Sequence, residues 1–181
     1  MDNVAKTESA GRMPAARTTR MARRALTLGL AALALLGLPS RAVADVTVFL
    51  GANTSPANRQ VRGAAVGAGL LVVAFEFEYA DTTDDPLATA PSLKTGIGNL
   101  LLQTPFAVLG IQPYFAAGGG LYQEDLGTHS DRGFVVGTGG GAKISLVGPI
   151  RLRVDYRVIR LGSGALSSPA HRVYAGLNLK F

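Results

Sequence analysis

The chain has 181 residues, with 18 Lys and Arg against 12 Asp and Glu, a formal charge of +6, and 48% hydrophobic residues. Its 23 glycines follow no triplet repeat, which excludes a collagen-like fibre, and its apolar content excludes wholesale disorder. With no cysteine there is no disulfide, thiolate zinc site or cysteine nucleophile.

The positive charge is unevenly placed. Lys6, Arg12, Arg17, Arg20, Arg23, Arg24 and Arg41 fall in the first 44 residues, against Asp2 and Glu8; residues 45–181 hold 11 basic and 10 acidic side chains. Arg23-Arg24 precede an uncharged run, Ala25 to Ser40, broken by Pro39 and followed by Ala42-Val43-Ala44 and then Asp45. A basic start, an apolar stretch shorter than the ~20 residues of a spanning helix, and a small-x-small site form a secretory signal. Residues 1–44 are therefore expected to be an N-terminal extension and cleavable signal peptide, with the true start at Met1, Met13 or Met21, and residues 45–181 a single exported domain. The basic segment is a targeting device, and no nucleic-acid partner is expected.

From residue 45 onward the pattern has period two, which marks half-buried strands. Strands are expected at about 45–52, 61–70, 73–79, 96–104, 110–123, 133–146, 150–158 and 173–181. In the third, Phe75, Phe77 and Tyr79 alternate with Glu76 and Glu78. In the seventh, Arg151, Arg153, Asp155 and Arg157 alternate with Ile150, Leu152, Val154, Tyr156 and Val158. In the last, Val173, Ala175, Leu177, Leu179 and Phe181 alternate with Tyr174, Gly176, Asn178 and Lys180. Glycines blur the second strand and leave the side of Arg62 open. Long polar connections are expected at about 53–60, 80–95, 124–132 and 162–169, and short ones near 70–72, 105–107 and 147–149. Long-short alternation describes an eight-stranded up-and-down antiparallel barrel with both ends on the short-turn side.

Such a barrel faces either water or lipid with its outer wall. Glu76, Glu78, Lys143, Arg151, Arg153, Asp155 and Arg157 share the polar face, four positive and three negative, the near-balance that a closed interior requires. The glycines at 118–120 and 137–141 suit a narrow lumen that must leave room for long arginines. The terminal strand, with Tyr174, Leu177, Leu179 and Phe181, resembles the C-terminal signature of bacterial outer-membrane barrels, and Phe75-Glu76-Phe77-Glu78-Tyr79 resembles the third strand of small OmpA-type barrels. The resemblance covers residues 45–181. It implies an all-β transmembrane barrel in the outer membrane, a terminal strand read by the barrel assembly machinery, and contact with outer-membrane lipid and lipopolysaccharide; separately, no peptidoglycan-binding domain is expected after the last strand.

The remaining motifs carry less. Gly137 to Ala142 matches a dinucleotide fingerprint, but no helix follows it, so no nucleotide cofactor is expected. His129-Ser130-Asp131, and His171 near Ser167 and Ser168, have the residue types of a hydrolytic site, yet neighbours in a loop rarely converge as a triad. Asp81, Asp84 and Asp85 lack EF-hand spacing, and no metal site is expected. The function expected is a non-catalytic, monomeric envelope barrel with a structural role or an unknown external loop ligand. The alternatives are a narrow solute channel with Glu76 in its gate, a lipid-modifying barrel enzyme, and a soluble periplasmic ligand barrel.

Overall fold

The computed structural model describes residues 43–181; the expected signal peptide lies outside the described residues apart from Val43 and Ala44. Eight strands follow in chain order: β1 (Val43–Asn53), β2 (Arg59–Leu70), β3 (Val73–Thr82), β4 (Ser92–Gln103), β5 (Ile111–Leu126), β6 (His129–Val147), β7 (Ile150–Leu161) and β8 (Ala170–Lys180). Each pairs antiparallel with the next, and β8 pairs back onto β1 from Asp45↔Lys180 to Asn53↔Arg172. The wall is a closed barrel, and β1 starts and β8 ends at the same rim. Closure leaves no open sheet edge around the barrel, and the loop-end part of β6, residues 129–134, pairs with β5 alone.

Alternation decides the two faces. In β3, Ala74, Glu76, Glu78 and Ala80 are buried, while Phe75, Phe77 and Tyr79 are exposed. In β7, Arg151, Arg153, Asp155 and Arg157 are buried against exposed Ile150, Val154 and Tyr156. The same reading places Arg62 on the outer wall, where Nη2 donates to Asp81 Oδ2 at 3.2 Å.

The connections depart from strict long-short alternation. Residues 124–132, expected as a loop, continue the β5–β6 hairpin through Asp125↔Ser130 and Leu126↔His129, and the chain turns at Gly127 with φ +60°. Both faces of that hairpin tip are polar, so its period is invisible in the sequence. The connection expected near 105–107 spans 104–110 and carries Gly110 at φ +80°. The loop between β3 and β4 holds one 3-10 turn, Pro86–Ala88, capped by Asp85, whose Oδ1 accepts from Ala88 N at 3.2 Å.

The lumen is not uniformly polar as expected. Leu93, Ile97, Tyr122, Val135, Ile159 and Ala170 form an apolar cluster toward the loop end, with Leu161 and Ala165 packed on it. Phe49, Val61, Ala80 and Tyr174 form a second cluster, and Ala74, Leu101, Tyr114 and Ala116 a third toward the short turns. Glycines on β6 make room among them. A Cβ on Gly139 would stand 2.1 Å from the Tyr156 carbonyl oxygen and 2.9 Å from Arg157 Cδ. Gly139→Val is therefore expected to lower stability by at least ~1–3 kcal/mol, measured by denaturant titration of the refolded protein; an unchanged midpoint would show that the lumen has slack at this level.

Candidate functional site

All seven side chains expected in the interior network are buried in the lumen, on β3, β6 and β7. Arg153 is the centre and is fully buried. Its Nη1 bonds Glu76 Oε2, its Nη2 donates to Glu76 Oε1 at 3.0 Å, and its Nε donates to Asp155 Oδ2 at 2.7 Å. Nε also reaches Tyr114 Oη at 2.7 Å, and Nη2 reaches Tyr174 Oη at 3.3 Å. The guanidinium lies 5.1 Å from the Tyr114 ring centroid, within cation–π range. Tyr114 in turn donates to Asp155 Oδ2.

Glu78 serves the next level. Tyr174 Oη donates to its Oε2 at 2.8 Å, and Arg172 Nη1 donates to its Oε1 at 3.3 Å. Arg172 also donates to Asn53 Oδ1 and Thr95 Oγ1, both at 3.2 Å. Arg157 Nε donates to Asp155 Oδ1 at 3.1 Å. Its Nη2 stands 3.1 Å from Asp155, 3.6 Å from Glu76 and 3.8 Å from Glu78, yet aligns for a hydrogen bond with none of them. It balances charge among three carboxylates without choosing one.

Two of the seven lie away from the central pair. Arg151 and Lys143 do not pair with Glu76 or Glu78; they share Asp45, at 3.3 and 2.6 Å, near the short-turn rim. Arg151 is further held by Asn178 Oδ1 at 2.8 Å and Gln112 Oε1 at 3.2 Å. Asp45, Arg172 and Tyr114 complete the network, and the period-two reading assigns none of them to it. With them the network holds Asp45, Glu76, Glu78 and Asp155 against Lys143, Arg151, Arg153, Arg157 and Arg172. Of the expected C-terminal signature, Leu177, Leu179 and Phe181 lie on the outer wall, but Tyr174 points into the lumen and stacks on Phe49 at 4.1 Å.

The 162–169 connection packs onto the loop end of the lumen, with Ala165 against the upper apolar cluster. Leu166 N donates to buried Glu124 Oε1 at 2.6 Å, and His129 Nε2 stands 3.3 Å from the same oxygen. Ser130 donates to Asp125 at 2.7 Å, not to His129, and His171 bonds Tyr156 Oη at 2.6 Å through Nδ1. No serine bonds a histidine among the described residues. The bonds from Ser130 and Gln123 hold the half-buried Asp125 carboxyl, at the hairpin tip, below its ordinary value. Among the described residues no three His, Asp or Glu side chains gather in a metal-binding group.

No family model and no curated protein matches the sequence. Solved structures do resemble the fold. The N-terminal β-barrel domain of Pseudomonas aeruginosa OprF is similar with a TM-score of 0.58 at 14% identity, over 78% of this chain and 99% of that one. The fold is the eight-stranded outer-membrane barrel. Neisserial surface protein A (NspA) is similar with a TM-score of 0.56 at 17% identity, over 77% of this chain and 96% of its own. Ail, the attachment invasion locus protein of Yersinia pestis solved with the heparin analogue sucrose octasulfate, gives 0.50 at 7%, over 78% and 99%. At these identities the outer-membrane barrel is shared as a fold, while the lumen chemistry above is read from this chain alone.

Removing one member of the central pair leaves the other buried and unpaired. Arg153→Met is expected to cost about 3–5 kcal/mol, and adding Glu76→Leu to it to restore a large part. Denaturant titration of the two single variants and the double variant checks this; additive losses would show that the pair is not coupled.

Proposed function

We propose that this protein is a bacterial outer-membrane barrel with a sealed lumen, serving as a non-catalytic envelope component whose loop end faces outward. The observation that carries this reading is the inverted distribution of polarity. Phe75, Phe77, Val48, Leu50, Phe115 and Leu177 are each more than half exposed, while Arg153 and Arg172 are at 0%. In water that arrangement leaves large apolar areas exposed on every side of the wall, far beyond the patches of a soluble monomer. In lipid it is the low-energy arrangement, since the bilayer solvates the outer rows and the lumen solvates its own ions. The inversion speaks against the soluble ligand barrel, whose outer rows would be polar.

The filled lumen supports an envelope role over a channel. The ion network, and above it the Leu93, Ile97, Tyr122, Val135 and Ile159 cluster, fill successive levels of the lumen, and a cavity of about 220 Å³ remains below them at the short-turn rim beside Asp45, Lys143 and Arg151. An eight-stranded barrel is only wide enough for such side chains. The histidine partners support a non-catalytic role, because neither imidazole engages a serine hydroxyl. Export by the expected leader and recognition of the Phe181-terminated strand by the assembly machinery complete the proposal.

Two measurements test it. The protein should resist carbonate extraction from membranes and show heat-modifiable mobility in detergent, and release by carbonate would refute membrane insertion. In planar bilayers it should give no conductance above the lipid baseline; stable single-channel steps in the unaltered protein would favour the solute channel, and steps that grow in Glu76→Ala would place the gate at the central pair.

A further inference from the structure

The outer wall is asymmetric along the barrel axis. From the short-turn rim upward, the outward rows of all eight strands begin without a single charge: Leu70, Val73, Leu102 and Leu179 are typical. At the loop end, cross-strand register lines up one polar row over five strands, Arg62↔Asp81↔Lys94↔Gln123↔Arg132. Directly beneath it runs a second row, Ala64↔Tyr79↔Gly96↔Leu121↔Phe134.

The lower row is corrugated. Tyr79 is a ridge, and the small residues on either side of it open two grooves on the outer wall. One, of about 810 Å³, runs past Ala64, Val48, Leu50 and Ala175 with Arg62 at its head. The other, of about 570 Å³, runs past Gly96, Leu121 and Phe134 with Lys94 and Arg132 at its head. Tyr79 lines both. The head of the first groove holds Arg62 together with Asp81, and that of the second Lys94 and Arg132; Arg62 and Lys94 stand two strand spacings apart, roughly 10 Å. Asp81 between them takes only one of the guanidinium donors of Arg62, at 3.2 Å, and repels an anion from the middle of the row. Lys94 and Arg132 make no ion pair among the described residues.

We propose that this surface seats one bis-phosphorylated, multiply acylated glycolipid of the lipid A class astride Tyr79, its two phosphates on Arg62 and Lys94 and its acyl chains in the two grooves. The inference rests on the reading that the barrel spans the outer membrane with its loops outward. Charge complementarity and spacing select the occupant. A lipid with one phosphate engages one cation and one groove at a time, whereas a headgroup with two separated phosphates engages both and places chains on both sides of the ridge. Arg132, one groove wall away, draws the second phosphate toward the Lys94 side.

Native mass spectrometry of the detergent-solubilised full protein tests this, with bis-phosphorylated lipid A, its monophosphoryl derivative and phosphatidylglycerol titrated separately. Bis-phosphorylated lipid A is expected to bind at least ~10-fold more tightly than either of the others, because it adds a charge-assisted contact. Arg62→Gln and Lys94→Gln should each remove about that factor, Lys94→Arg should retain it, and Lys180→Gln at the opposite rim should change nothing. Equal affinity for the three lipids, or unchanged affinity in both Gln variants, overturns the proposal. Heat-modifiable mobility of each variant confirms that it is folded. Loss of that mobility in the unaltered protein would defeat the barrel reading itself, whereas a folded barrel without lipid preference defeats only this inference.

Discussion

The lumen of an eight-stranded barrel is only as wide as the side chains that fill it, and the rest of this structure answers to that width. Once β8 closes on β1, every residue of the wall points either into a narrow shared space or out of it. The ion network commits five basic and four acidic side chains to the inside, and each must find counter-charge within a few ångströms or lose several kcal/mol to desolvation. Arg153 solves this centrally. One guanidinium engages Glu76 through two nitrogens, Asp155 through a third, and two tyrosine hydroxyls, linking β3, β5, β7 and β8 across the barrel. The tyrosine rings that meet it also bring apolar volume, which is why the ionic level adjoins the Phe49–Tyr174 stack directly.

The same constraint explains where the glycines sit. Long arginines on β7 face β6 across a strand that offers Gly139 and Gly141 in place of side chains, and a Cβ at Gly141 would stand 2.7 Å from the Tyr114 hydroxyl. On the outside, the small residues Ala64 and Gly96 have the opposite consequence: they leave furrows beside Tyr79 where the lumen-facing glycines leave room for guanidinium groups. A single residue class thus shapes both faces of the wall, with its effect decided by the parity of its position.

Much of this is legible in the sequence, for a physical reason. Where one face meets lipid and the other a charged lumen, alternation is sharp, and β3, β7 and β8 were readable down to individual side chains. Elsewhere the contrast fades. Asp45 sits beside the small residues of an export site and reads as the residue after a cleavage point, although its carboxylate holds Lys143 and Arg151. Arg172 falls between the connection expected at about 162–169 and the strand expected at 173–181, although it is fully buried on β8. The β5–β6 tip extends past the apolar belt, where both faces are polar and period two disappears. The apolar cluster around Ile159 escaped because strands there carry apolar residues on both faces, Val158 outside and Ile159 inside, and parity alone does not rank them.

The central claim is that the parity of each strand assigns lipid and lumen in the sense described. The chain has no cysteine, so single cysteines can be introduced and spin-labelled without background. A scan along β3 from residue 73 to residue 82, in the protein refolded into lipid vesicles, tests the claim most directly. High accessibility to oxygen at 75, 77 and 79, alternating with low accessibility to both oxygen and a water-soluble relaxant at 74, 76 and 78, is the predicted result. High accessibility to the water-soluble relaxant at 75 and 77 would contradict it, since those side chains would then face water and the barrel would not be embedded in lipid.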